Sequence, residues 1–189
     1  MAYEDNHRFY TGAIEEYGLC AQGVHWSSKH SQYKRFEALT HFIKKDLRFN
    51  NIVDVGCGFA EYYQYLKENQ KLPKYYTGID CEYEMISICK KRFPSQDFIQ
   101  ANVLSDSLIP ADYYLCSGAL NILNKQEFYQ FIDKCFHASS KGFIFNFLKS
   151  DSYNYILPKE IILFCSKYDA EIIMKDDYLE NDMTLFLKK

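Results

Sequence analysis

The apolar positions of this chain alternate between two periods. From Lys29 to Leu47 they fall at Tyr33, Phe36, Leu39, Ile43 and Leu47, close to the spacing of a helix with one buried face. Residues 51–55 form a short apolar strand, and helical spacing returns from Ala60 to about Glu68. Tyr75 to Ile79 reads as a second strand with Asp80 at its C-terminal end. Glu82 to Phe93 is helical, with Met85, Ile86, Cys89 and Phe93 on one side and Pro94 closing it. Asp97 to Ala101 and Asp112 to Cys116 predict a third and a fourth strand. Asn124, followed three residues later by Glu127, predicts a capped helix start. That helix turns Phe128, Phe131, Ile132 and Cys135 inward, with Gly142 marking its end. Phe143 to Phe147 is a further strand, and Pro158 suits the first turn of a helix reaching about Tyr168. Residues 170–175 and 183–187 read as an antiparallel hairpin. Residues 1–28 are polar and irregular, with a short helical pattern from Ile14 to Leu19.

Strands alternating with helices predict a parallel sheet covered by helices on both faces. With 189 residues, no internal repeat and no linker, the chain is expected to form one domain, residues 1–48 serving as an N-terminal helical cap or lid. No apolar run approaches the ~20 residues of a membrane-spanning helix, and the acidic first residues lack the apolar core of a signal peptide. The seven cysteines are scattered, with no C-x-x-C. That argues against a disulfide framework or a zinc site and for a reduced, cytoplasmic setting. The net charge of −3, with no basic block beyond the run Lys90, Lys91 and Arg92, lacks the footprint of a nucleic-acid enzyme.

The densest chemistry lies between Asn51 and Leu66. A strand runs into Asp54, through Gly56, Cys57 and Gly58, and straight into a helix. Glycine permits sharp turns and close approach of the backbone to a ligand, and a strand that turns so into a helix N-terminus builds a nucleotide-type site. A dinucleotide fingerprint requires a small third residue at position 61, where this chain has Glu61. Ala60 stands one place earlier, giving G-x-G-x-A behind an acidic strand residue. Asp80 follows at the spacing of a residue that accepts ribose hydroxyls, although a strand-end Asp also caps the next helix.

Asp54, Gly56, Gly58, Ala60 and Asp80 resemble motif I and the following acidic position of the class I S-adenosylmethionine-dependent methyltransferases. The resemblance implies a three-layer α-β-α sandwich with a mostly parallel seven-stranded sheet in order 3-2-1-4-5-7-6, the last strand antiparallel. It implies S-adenosyl-L-methionine as cofactor, with Asp54 and the loop Gly56–Gly58 at the methionine end and Asp80, with Cys81 beside it, on the ribose. Met85 would lie against the adenine, or equally in plain core. Asn102 stands where the family commonly has Asp, followed by Val103; its side-chain oxygen could accept from the adenine amino group, or simply hold a loop turn. Ser117, after the fourth strand, would contact cofactor through its backbone, and Asn121 would face the acceptor.

The segment from Gly23 to Phe36 resembles a lid found in small members of this family. Trp26 could stack on the cofactor and Arg35 could pair with its carboxylate, or both could be ordinary packing and surface. His25, His30 and Asn121 are the weak catalytic candidates, and no metal site is expected. The expected activity is O- or N-methylation of a small molecule by a monomer or homodimer, without nucleic acid or membrane as partner. Its rivals are an RNA methyltransferase and a non-catalytic cofactor-binding module.

Overall fold

The computed structural model describes residues 28–150, 152 and 155–189. Seven strands form one sheet in the order β3-β2-β1-β4-β5-β7-β6. The strands are β1 (Asn51–Val55), β2 (Tyr75–Asp80), β3 (Asp97–Gln100), β4 (Ala111–Ser117), β5 (Ser139–Leu148), β6 (Glu171–Lys175) and β7 (Asp182–Lys188). The first five run parallel, and β7 pairs antiparallel with both β5 and β6. Both the order and the antiparallel strand agree with the expectation.

Among the described residues, five α-helices cover the faces: α1 (Lys29–Ile43), α2 (Glu61–Glu68), α3 (Tyr83–Arg92), α4 (Lys125–Ala138) and α5 (Pro158–Cys165). Alternation along each strand sorts the core into two layers. Ile52, Leu115, Ile144 and Phe186 pack with Phe36, Leu39 and Ile43 of α1 and with Tyr62, Leu66, Ile86 and Cys89 of α2 and α3. Val53, Tyr114, Phe143, Phe145, Leu185 and Leu187 face the other way, onto Phe128, Ile132 and Cys135 of α4 and Ile161 and Cys165 of α5. The helix starts are those the sequence marks. Asn124 Oδ1 accepts from Glu127 N at 3.0 Å while Glu127 Oε2 accepts from Asn124 N at 2.9 Å, and Pro158 opens α5.

Two expectations are corrected. Gly142 does not end α4, which stops at Ala138 and passes directly into β5. It lies within β5, beside the register shift against β4, with φ 141°, where a Cβ would sit 2.3 Å from the Leu187 carbonyl oxygen. A side chain there would push β7 away. Helix α1 is also not a loose cap: Phe36, Leu39 and Ile43 are almost wholly buried, so residues 29–43 form a structural layer of the sandwich. Residues 24–27, with His25 and Trp26, fall outside the described residues, as does the pattern at 14–19.

Candidate functional site

In an open α/β sheet, ligands bind beyond the carboxyl ends of the strands where the order reverses; here that is between β1 and β4. The glycine loop fills this crevice. Gly56 has φ 70°, and a Cβ on it would lie 2.4 Å from the Cβ of Ala119, in the turn after β4. The loop thus presses against the segment that follows β4, and only glycine fits. The Gly56 and Cys57 N–H groups both donate to Ile79 O, fastening the loop to β2. Ala60, the N-cap of α2, has φ 62° and is fully buried. A left-handed residue is where a third glycine costs nothing and alanine carries strain. Glu61 turns away from the crevice and pairs with Arg92 at the end of α3, and Arg92 also donates to the Phe59 carbonyl.

Two carboxylates flank the loop. Asp54 is buried and accepts from the Tyr76 hydroxyl at 2.6 Å. Burial pushes its carboxyl up from 3.8 to about 7, the Tyr76 hydrogen bond opposes this, and the neighbouring Asp80 adds to it. Asp80 ends β2 as expected, and each of its oxygens accepts a backbone N–H: Oδ2 from Gly58 at 2.9 Å, Oδ1 from Glu82 at 3.0 Å. Burial raises its pKa while those two hydrogen bonds lower it. Both readings of Asp80 therefore have a geometric footing. It braces the start of α3 and the glycine loop together, and a carboxylate oxygen that accepts one N–H can accept a further donor.

The remaining predicted residues distribute unevenly. Cys57 is buried, its thiol directed to the Gly58 carbonyl at 3.8 Å, and its backbone is engaged within the loop, the N–H on Ile79 O and the carbonyl on Ala60 N. Cys81 is half-buried beside Glu82, and burial pushes its thiol up to about 12. Met85 is 2% exposed, on α3. Asn102 holds a turn: its Oδ1 accepts from Leu104 N at 2.9 Å, and its own N–H donates to Asp106. Its oxygen is thus already engaged, while the N–H of the buried Val103 after it donates to no group among the described residues. Arg35 pairs with Asp182 at the start of β7, Nη2 to Oδ2 at 2.9 Å, with both side chains largely buried. Because Asp182 lies opposite Leu148, Arg35 does reach the ligand edge of the sheet, but its guanidinium serves to fasten α1 there. His30 is exposed in the first turn of α1.

Asn146 belongs to the site although motif and spacing do not single it out. It is 1% exposed on β5; its Oδ1 accepts from Gly118 N at 3.1 Å and its Nδ2 donates to Ser117 Oγ at 3.3 Å. Asn121 returns the brace, its Oδ1 accepting from Leu148 N at 3.1 Å. Two asparagines thereby lock the turn after β4 to the end of β5. The only available signal was a polar residue inside the apolar run Phe143 to Leu148.

The donor set suits a cationic nucleoside ligand: two carboxylates of raised pKa, an unpartnered backbone N–H at Val103 and a glycine turn that admits no side chain. The comparisons with known proteins agree. A methyltransferase-domain family profile matches residues 52–142. A Mycobacterium tuberculosis protein named for an inferred methyltransferase activity is 28% identical over 158 residues, covering 74% of this chain and 93% of that one. Among solved structures, magnesium protoporphyrin IX methyltransferase from Synechocystis with bound S-adenosylmethionine superposes with a TM-score of 0.69 at 13% identity, over 83% of this chain and 79% of that one. An S-adenosylmethionine-dependent methyltransferase from Mesorhizobium loti gives 0.70 at 13% identity, over 85% of this chain and all of the other. A TehB-like methyltransferase from Corynebacterium glutamicum gives 0.66 at 14%, over 98% and 97%. The profile, which spans just under half of the chain, and the shared fold support a class I S-adenosylmethionine-dependent methyltransferase, an enzyme with S-adenosylmethionine as cofactor.

Proposed function

We propose that the enzyme methylates an oxygen or nitrogen of a small organic acceptor, in the cytoplasm, as a monomer or homodimer. The observation that carries this reading is the charge of the ligand edge. Asp54, Asp80, Glu82, Asp106 and Asp176 lie at or just beyond the carboxyl ends of the parallel strands, as do Asp177 and, at the matching end of β7, Asp182, which pair with Lys175 and Arg35. A polyanionic substrate would meet repulsion there, whereas nucleic-acid enzymes line the approach with Lys and Arg.

The bound cofactor supplies a methyl group on an already activated sulfonium leaving group. The chain's own residues then hold and align. Asp80 accepts from the ribose hydroxyls, with Cys81 and Met85 beside the base. The Val103 N–H donates to the adenine ring and Asn102 shapes that turn. Asp54 and the Gly56–Gly58 backbone receive the charged methionine end, and Ser117 contacts it from β4. Proximity and orientation of this kind are worth ~7–11 kcal/mol in favourable cases, so a general base is needed only for an acceptor that loses its proton in the slow step. Asn121, its oxygen fixed by Leu148 N, presents its amide N–H2 as a donor to an acceptor oxygen.

Incubating the enzyme with methyl-labelled cofactor and, separately, a deproteinised metabolite extract and total RNA tests the assignment. Label should enter the small-molecule fraction. Label in RNA alone, or in neither, would overturn it.

A further inference from the structure

The pole opposite the ligand edge carries a second surface that methyl transfer does not use. The connection from α1 to β1 and the connection from α2 to β2 lie side by side there: Lys74 N donates to Asn50 O at 3.0 Å, and Asn51 pairs with Tyr75. Three large apolar side chains are exposed on these connections and at the first residue of β2, Phe49 and Tyr75 at 63% and Leu72 at 41%. Lys44, Lys45, Arg48, Lys71 and Lys74 surround them, all exposed. None of these five cations forms an ion pair with a carboxylate among the described residues. Exposed Asp46 is the acidic residue of these two connections, which still leaves the patch net positive in a chain of net charge −3.

We infer that this pole docks the enzyme on an anionic phospholipid surface, with Phe49, Leu72 and Tyr75 entering the headgroup layer and the five cations meeting lipid phosphates and carboxylates. Helix-dipole complementarity accounts for Lys44 and Lys45, which follow α1, but not for Arg48, in the single 3-10 turn Leu47–Phe49, or for Lys74, which lies outside every helix. The favourite partner of a basic aromatic patch is otherwise single-stranded nucleic acid, held by bases stacked on ring faces. Here the Arg48 guanidinium sits 4.5 Å from the Phe49 centroid and the Lys74 ammonium 5.5 Å from that of Tyr75, so cations already occupy ring faces. Leu72 offers no stacking surface at all, yet it suits the acyl boundary. An RNA held at this pole would also lie on the far side of the sheet from the cofactor. Docking here leaves the ligand edge open to a dissolved acceptor, and it revises the expectation of no membrane contact without requiring a spanning helix, of which there is none among the described residues.

Sedimentation of the full chain with phosphatidylcholine vesicles, with and without phosphatidylserine, tests the inference, alongside anisotropy with a single-stranded oligonucleotide. Each cation near an anionic surface strengthens partitioning about fivefold. Arg48→Glu with Lys74→Glu, four charge units in all, should therefore weaken binding to phosphatidylserine vesicles by about 100-fold or more. Phe49→Ala with Tyr75→Ala should weaken it with every charge retained. Melting temperature and affinity for the demethylated cofactor should not move in either variant, since all four residues are exposed and remote from the loop. No partitioning onto anionic vesicles overturns the inference, as does binding unchanged in either variant. Oligonucleotide binding without vesicle binding overturns it in favour of nucleic acid. The acceptor assay above is independent of all these outcomes.

Discussion

Replacing Asp54 by Asn separates the structural cost of this carboxylate from its service to the cofactor. Burial raises its pKa from 3.8 to about 7 in the folded chain. An acid with a raised folded pKa is most favourable to folding when protonated. That contribution is complete below about pH 4 and is lost as pH rises toward 7. A displacement of this size corresponds to about 4 kcal/mol of stability lost across that window. Asn keeps the acceptor for the Tyr76 hydroxyl at 2.6 Å but carries no charge. After a cost of ~1–2 kcal/mol for its unpaired amide N–H2, the variant should be about 2 kcal/mol more stable than the parent at pH 8, and no more stable at pH 4. In melting temperature that is roughly 4–8 °C for a domain of this size. Thermal denaturation of both proteins from pH 4 to pH 8 measures the difference directly. Calorimetry at pH 8 should meanwhile show weaker cofactor binding by about tenfold, the worth of a charge-assisted hydrogen bond. The loss should be larger for S-adenosylmethionine than for its demethylated product, which lacks the sulfonium charge. A variant less stable than the parent at pH 8 would refute the reasoning. It would mean that Asp54 is ionised comfortably in the fold and that its hydrogen bond to Tyr76 outweighs its desolvation.

Asp80→Ala should lower cofactor affinity by at least tenfold, at ~1.5–3 kcal/mol per charge-assisted hydrogen bond, and should also lower the melting temperature, because Gly58 N and Glu82 N lose their acceptor. Unchanged affinity in calorimetry would reduce Asp80 to a brace. Asn146→Ala strands the Gly118 N–H and should cost about 1–3 kcal/mol in urea denaturation, with faster amide exchange at residues 117–121; exchange unchanged there would show that β5 does not hold this turn. Breaking the Arg35–Asp182 pair with Arg35→Met should cost about 3–5 kcal/mol, whereas Arg35→Met with Asp182→Leu should recover most of it. A double-mutant cycle with no coupling would show that the two side chains do not fasten α1 to β7.

The local content of the chain was open to reading because hydrophobic periodicity reports, residue by residue, which side of an element is buried. It marked all seven strands and the five helices of the described residues, and the glycines between β1 and α2 located the ligand loop. It misplaced Gly142, because a glycine after a helix pattern looks the same whether it ends the helix or lets a neighbouring strand approach. It also took residues 29–43 for part of a cap, although Phe36, Leu39 and Ile43 already carried the stripe of a packed helix. Partners are a different matter. Tyr76 and Asp54 are 22 residues apart, Asn146 and Gly118 28, Arg35 and Asp182 147. No local pattern links such pairs, since a polar residue in an apolar run reads the same until a donor or acceptor is set opposite it. The sequence by itself therefore determined the elements, their buried faces and the chemistry of the loop. The sheet's register and the packing of α1 decided which carboxylate is desolvated, which asparagines hold the turn after β4, and that Arg48 and Lys74 come together at the pole opposite the ligand edge. Burial and charge separation depend on distances through space, and those exist only once the strands are aligned.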